Sequence, residues 1–169
     1  MDKLNVIKDL RQQTNLSISE CKKALENVNY NINEAYKLLQ YQVKNIADLK
    51  KNRLTKTGTF GVYAHNNSTI LGIVELLSET DFVAKNSDFK SLARDLAAQV
   101  VFSENLKFIS EEAFFESEAN VTKTINNDEI FLNQFFFKNE TITIKELLDQ
   151  NSAKFGEKLH ISNFYRYSI

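Results

Sequence analysis

The spacing of apolar residues changes at Gly58, and this change constrains the fold more than any other feature. Before it, in residues 1–42, apolar residues recur every three or four positions, which is typical of amphipathic helices. From Gly58 they alternate with polar residues, which is typical of strands. This order predicts an α+β protein, in which a small helical domain precedes an antiparallel three-stranded sheet covered by helices.

Residues 1–42 contain three helical patterns. Ser17 and Glu20 form a predicted capping box at the start of the second helix, and residues 29–31 end it. Three helices in a segment of this size predict a bundle of the ubiquitin-associated type, with a small core. The stripes predicted to form that core are Leu4, Ile7 and Leu10, then Ile18, Cys21, Leu25 and Val28, then Ile32, Ala35, Tyr36 and Leu39.

The rest of the chain is divided into a connector, residues 43–56, and a sheet domain, residues 57–169. The connector is rich in lysine, and we interpret it as a helix with a solvated face. In the sheet domain, one strand begins at Gly58 and is followed by a two-residue turn at Asn66 and Asn67. The almost wholly apolar run from Thr69 to Leu77 predicts a central strand covered on both faces. A third strand is predicted over Lys158–Ile169, with one face formed by Leu159, Ile161, Tyr165, Tyr167 and Ile169 and a wetter face formed by His160, Ser162, Arg166 and Ser168.

Helices are predicted between the second and third strands. The strongest pattern runs from Phe89 to Val101, with apolar residues at offsets of three and four. We also predict helix for the phenylalanine-rich segment from Phe131 to Phe137 and a short helix over Ile144–Asp149. The phenylalanine cluster is too apolar for a free surface, so it lies in the core or at a subunit interface.

Composition and charge exclude several classes of function. The 169 residues carry 21 basic and 22 acidic side chains, so the chain lacks the positive field that direct nucleic-acid binding requires. The single Cys21 excludes an internal disulfide, and two histidines are too few for the usual zinc sites. Apolar runs are too short for a membrane helix. With no secretory or Arg- and Ser-rich leader at the N-terminus, we expect a cytoplasmic protein.

Three sequence motifs resemble the elongation factor Ts family along the whole chain, in its short form with one sheet subdomain. Leu10–Thr14 and Cys21–Leu25 match the flanks of an N-terminal family motif, while Asn15–Ser19 replace its glycine-containing centre. Val74–Asn86 matches the family signature around T-D-F-V-A-K almost residue by residue. Lys154–Lys158 is similar to the family's K-x-G-E-N segment.

The resemblance implies a guanine-nucleotide exchange factor that binds elongation factor Tu and promotes GDP release. It implies no cofactor, no metal site and no catalytic residue, because an exchange factor needs differential affinity for two partner states and performs no chemistry of its own. Short members of the family pair with themselves, so a homodimer is implied as well. The alternative is an adaptor that uses its N-terminal helical domain to bind a partner without exchange.

Two sets of residues are implied to contact elongation factor Tu. The first is an exchange loop, in which Phe82 acts as an apolar wedge and Asp81 perturbs the surroundings of the partner's magnesium ion. The second belongs to the N-terminal domain. The exchange loop consists of Thr80, Asp81, Phe82 and Val83, and the N-terminal set of Arg11, Ile18 and Ser19.

The sequence also allows simpler interpretations of the exchange-loop residues and of Cys21. Thr80 and Asp81 precede a helical pattern and could be capping residues. Phe82 could be a core residue, and its burial decides between core and wedge. Glu79 with Asp81 could form an acid/base pair, although two acids in one turn are usually solvated. Cys21 fits a small core residue better than a reactive thiol.

Overall fold

The computed structural model describes residues 3–14, 16–117 and 126–169. Asn15, in the centre of the N-terminal motif, and Glu118, the last residue of an acidic sequence segment that begins at Glu111, lie outside this part. Within it, helices and a three-stranded antiparallel sheet confirm the α+β prediction. The helices are α1 Lys3–Thr14, α2 Ile18–Asn27, α3 Ile32–Lys50, α4 Asp81–Lys85, α5 Ser87–Phe102, α6 Glu111–Ser117 and α7 Ile144–Phe155. The strands are β1 Thr57–His65, β2 Ile70–Ser78, β3 Phe135–Phe136, β4 Asn139–Thr143 and β5 His160–Ser168.

The chain forms two compact units. The first comprises Met1–Arg53 and Asp149–Lys158, and the second comprises Leu54–Leu148 and Leu159–Ile169. The boundaries predicted at residues 42 and 56 stay a prediction. The first unit includes the C-terminal part of α7, from Asp149 onward. No local sequence pattern indicated that this part of α7 belongs with the N-terminal helices.

The core of the first unit is built from α1, α2 and α3. The capping box at the start of α2 is confirmed: the Glu20 amide donates to Ser17 Oγ, and the Ser17 amide donates to the Glu20 carboxylate. Two residues of the predicted stripes, Leu4 and Ile18, are exposed, so their assignment to the core was wrong. The buried apolar residues are Val6, Ile7, Leu10, Leu16, Cys21, Ala24, Leu25, Ala35, Leu39 and Val43.

The predicted connector is largely a continuation of α3, which runs to Lys50. Val43 belongs to the core, and Lys50 is buried with its Nζ donating to the carbonyl of Ser152 at 3.1 Å. Lys158 Nζ donates to the carbonyls of Lys51 and Arg53 at 2.6 and 3.1 Å. The expectation of a solvated face was therefore wrong for Lys50, because a backbone carbonyl of α7 binds its ammonium group.

The second unit is organised around a sheet of strand order β1-β2-β5 with antiparallel pairing throughout. This order confirms that β2 is central. Helix α5 packs against one face of the sheet, where Gly61 and Gly72 lie directly below its backbone. On the opposite face, Leu71 and Ile73 are half-buried, so the expectation that β2 is covered on both faces was wrong.

The turn between β1 and β2 is longer than the two residues predicted. His65 pairs with Ile70, so residues 66–69 form the turn. Asn66, Asn67 and Ser68 all have positive φ angles, of 51°, 55° and 69°. The asparagines were correctly identified as turn residues, but the extra left-handed residue at Ser68 lengthens the loop.

A register shift in β5 changes which side chains face α5. Leu76 pairs with Ile161 but Glu75 pairs with Asn163, so Ser162 is an extra residue in β5. The predicted alternation holds as far as Ile161 and is inverted beyond it, because one inserted residue exchanges the two faces of a strand. Tyr165 and Tyr167 consequently lie on the face opposite α5, where both are exposed.

The predicted helix over Phe131–Phe137 was wrong. A single turn of 3₁₀ helix over Phe131–Asn133 is followed by a two-stranded hairpin of β3 and β4. Buried Gln99 of α5 holds this hairpin: its Oε1 accepts from the amide of Phe137 at 2.8 Å and its Nε2 donates to the carbonyl of Phe135 at 3.2 Å. A polar side chain of α5 thus provides hydrogen bonds to backbone groups of the hairpin, an interaction that local sequence does not show.

Candidate functional site

The exchange loop predicted from sequence is a tight turn between β2 and α5. Strand β2 ends at Ser78, and the five-residue helix α4 begins at Asp81. Phe82, at the second position of α4, has 83% of its surface exposed, whereas Ala84 in the same helix is buried. We call Thr80–Val83 the Phe82 turn.

Two local features give the turn its shape. Asn86 ends α4 and caps α5, with its Oδ1 accepting from the amide of Asp88 at 2.8 Å. Because Asn86 has an extended backbone, with φ of −65° and ψ of 138°, the two helices cannot merge into one. Ala84 anchors the short helix, and Phe82 faces solvent.

Asp81 carries the perturbed carboxyl group of this turn. Its Oδ2 accepts from Nζ of Lys85 at 2.5 Å, across one helical turn. The hydrogen bond and charge of Lys85 hold the pKa of Asp81 below its usual value. The carboxylate is therefore ionised at neutral pH and partly neutralised by its neighbour.

We expect Lys85→Met to raise the pKa of Asp81 towards its ordinary value, because the main cause of the depression is removed. A carboxyl with a depressed folded-state pKa contributes stability above its unfolded-state pKa and loses that contribution as pH falls through the folded-state pKa. The stability lost in Lys85→Met should thus be present at neutral pH and should disappear as pH falls below the ordinary aspartate pKa of 3.8. The measurement is an NMR titration of the Asp81 carboxyl, with exposed Lys90→Met as the control. Identical titration curves for Lys85→Met and wild type would contradict Lys85 as the cause of the lowered pKa of Asp81.

The structure argues against the simpler interpretations of Thr80, Asp81 and Phe82. Thr80 occupies the N-cap position of α4, but its side chain makes no capping hydrogen bond. Phe82 is not a core residue, since its ring is largely exposed. Asp81 pairs with a lysine, which does not raise its pKa as a general acid would require. The role of the turn in partner binding stays a prediction.

The second predicted set lies in the first unit, in α1 and α2. Arg11 is in the last turn of α1, and Ile18 and Ser19 open α2. All three are exposed, Ile18 to 60%. An isoleucine excluded from the core at the start of a capped helix is available to a partner, although partner binding by this set stays a prediction.

Sequence reasoning missed one exposed apolar surface, on the face of the sheet opposite α5. We call it the outer sheet face and define it by Phe60 and Val62 of β1, Leu71 and Ile73 of β2, and Tyr165 and Tyr167 of β5. Phe60 is 64% exposed and Tyr167 57%. Alternation in β1 indicated the two residues of this face that belong to β1, but the register shift in β5 that adds the tyrosines is not readable from local sequence.

Metal sites and membrane-spanning helices are both absent from residues 3–14, 16–117 and 126–169. In these ranges, no three His, Cys, Asp or Glu side chains are grouped so that they could hold a metal ion. No helix there has the length and apolar character needed to cross a bilayer. Cys21 is buried in the core of the first unit, with its Sγ 3.5 Å from Thr14 Oγ1.

Comparison with known proteins gives a consistent set of relatives. Elongation factor Ts of Carboxydothermus hydrogenoformans is 31% identical over 97% of this chain and 87% of its own length. Elongation factor Ts of Methylacidiphilum infernorum is 31% identical over 98% of this chain and 94% of its own. The chloroplast polyprotein of EF-Ts from Oryza sativa subsp. indica is 33% identical over 97% of this chain, which spans only 17% of that protein's length. No family model matches the chain.

Proposed function

Because the chain belongs to the elongation factor Ts family of guanine-nucleotide exchange factors in translation elongation, we propose that it binds elongation factor Tu and promotes GDP release. The relatives do not favour the alternative of a plain adaptor. We propose further that it acts in the cytoplasm, with no direct nucleic-acid or membrane partner, and that it performs no catalytic chemistry of its own.

The observation that carries the proposal is the exposure of Phe82 on a turn built from the matched signature. An aromatic ring in water has no stabilising role in its own fold, whereas aromatic anchors dominate the energies of interfaces. In the proposed mechanism the ring enters an apolar gap in the GTPase and separates the elements that line it. Asp81 then approaches the surroundings of the magnesium ion, whose strict octahedral geometry makes small displacements costly for phosphate binding.

The first unit supplies a separate contact in this proposal. Arg11, Ile18 and Ser19 would bind a second patch of elongation factor Tu, with Ile18 as the apolar anchor. Such a contact adds affinity without discriminating between nucleotide states. The discrimination is assigned to the Phe82 turn, since only a group that binds the two states unequally can shift their populations.

GDP and the chain must affect each other's binding to elongation factor Tu reciprocally, and both effects can be measured. If the chain weakens GDP binding by some factor, GDP must weaken binding of the chain by the same factor. Release of fluorescent GDP from elongation factor Tu, with and without the chain, tests the forward effect. A titration of the chain against nucleotide-free and GDP-bound elongation factor Tu tests the reverse. Equal affinity for the nucleotide-free and GDP-bound forms would exclude nucleotide exchange and would favour the adaptor alternative.

We also propose that the chain forms a homodimer through the outer sheet face. Contiguous apolar surface of this kind is rare on monomers and marks an interaction site. The strands β1, β2 and β5 place one carboxylate on this face, Glu75, and its Oε2 accepts hydrogen bonds from Ser162 and Asn163. Two copies related by a twofold axis could therefore bury this face without an unpartnered charge.

We expect Val62→Lys to convert the dimer into a monomer, because a lysine would be buried in the interface without a partner. The dissociation constant should rise about tenfold or more. Light scattering after size exclusion measures the mass, and Asn105→Lys, at an exposed turn, is the control of equal charge. A wild-type chain that is monomeric at high micromolar concentration would exclude the proposed dimer.

A further inference from the structure

Ser78 is a buried polar residue in an otherwise apolar row of β2. The side chains of this row face α5, and the residues before Ser78 are Gly72, Val74 and Leu76. Ser78 is fully buried, with 0% of its surface exposed. An apolar side chain would gain more from burial at this position, so the hydroxyl must have a partner that offsets the cost.

The partner of the Ser78 hydroxyl belongs to the Phe82 turn. Ser78 Oγ donates to the carbonyl oxygen of Thr80 at 3.0 Å. The same carbonyl accepts from the amide of Ala84 at 3.3 Å, which is the first hydrogen bond of α4. The backbone of Ser78 is held in turn by the sheet edge, because its carbonyl accepts from the amide of Lys56 at 3.0 Å.

These bonds connect a rigid strand to the helix that carries Phe82. Helix α4 has only five residues, so its own hydrogen bonds cannot fix its orientation. The orientation depends on how its ends are anchored, and the Ser78 hydroxyl anchors the first carbonyl. A ring that must enter a narrow gap loses effectiveness when its support is loose, because misplacement and ordering both cost binding energy.

We propose that Ser78 is a positioning residue for the exchange reaction: its buried hydroxyl fixes the Phe82 turn and so pre-orients the ring before elongation factor Tu is bound. This inference rests on the proposed function and deepens it. Ser78 itself touches no partner, since it is enclosed by its own unit.

The test compares Ser78→Ala with Ile142→Val, a buried substitution in β4 expected to cause a comparable loss of stability. Ser78→Ala should lower the saturating rate of GDP release about threefold or more, with little change in the concentration that gives half the maximal rate. Ile142→Val should release GDP at the wild-type rate. In the free proteins, exchange of the Ala84 amide hydrogen should be faster in Ser78→Ala only.

The possible results distinguish the positioning role of Ser78 from the exchange function itself. Ser78→Ala at the wild-type rate would overturn the positioning role while leaving the exchange function intact. Equal slowing in both variants would also overturn it, because the effect would then follow stability alone. A wild-type chain that does not stimulate GDP release would overturn the proposed function and this inference with it. Slower release together with faster Ala84 exchange, confined to Ser78→Ala, supports it.

Discussion

Phe82→Ala is expected to lower the stimulated rate of GDP release from elongation factor Tu by about tenfold or more. The expectation follows from the exposure of the ring, which contributes no core packing of its own and is free to enter a partner. Truncation of a central aromatic anchor commonly costs ~2 kcal/mol or more, which is a factor of about 30 in an equilibrium constant. Stability should change little, because the substitution is on the surface.

The matched control for Phe82 is Phe115→Ala, which removes another exposed phenylalanine of the second unit. The measurement is the release of fluorescent GDP at increasing concentrations of each variant. Thermal unfolding recorded in parallel excludes a difference in folding. An unchanged release rate for Phe82→Ala would remove the wedge mechanism, and equal losses for both variants would show a general effect of surface aromatics.

Gly61→Ala is expected to destabilise the second unit by about 3 kcal/mol or more. A Cβ atom at Gly61 would lie 1.9 Å from the carbonyl oxygen of Ala93, and one at Gly72 would lie 2.2 Å from that of Ala97. Both obstacles are backbone atoms of α5, so no side-chain rotation can relieve the overlap. The helix would have to move away from β1 and β2, the two strands against which it packs.

The contrasting variant for Gly61 is Gly156→Ala. Gly156 has a φ of 73°, but among the described residues no heavy atom beyond Gly156 and its two chain neighbours lies within 4 Å of the place a Cβ would take. Its substitution therefore costs only backbone strain, of about 1 kcal/mol. Circular dichroism during urea unfolding gives the free energies of unfolding. Gly61→Ala as stable as wild type would contradict the close packing of α5 on the sheet.

The sequence of the Phe82 turn determined its local structure with little help from the rest of the fold. The apolar run of β2, the Thr80-Asp81 start and the helical period from Phe89 each act over a few residues, so their outcome is readable locally. The capping box of Ser17 and Glu20 was predictable for the same reason. What local pattern could not provide was the exposure of Phe82, since exposure depends on which neighbours pack around the ring.

Long-range contacts decided the remaining features. Gln99 forms hydrogen bonds with the backbone of Phe135 and Phe137, in the segment where helix was predicted and a hairpin is found. One extra residue at Ser162 inverts the faces of β5 and brings Tyr165 and Tyr167 onto the outer sheet face. The sequence alone thus determined the three N-terminal helices, strands β1, β2 and β5, helix α5 and the residues of the Phe82 turn, because these depend on neighbours in the chain. Only the tertiary structure decided which side chains face solvent, including the burial of Ser78 and the exposure of Phe82, because burial is set by residues distant in sequence.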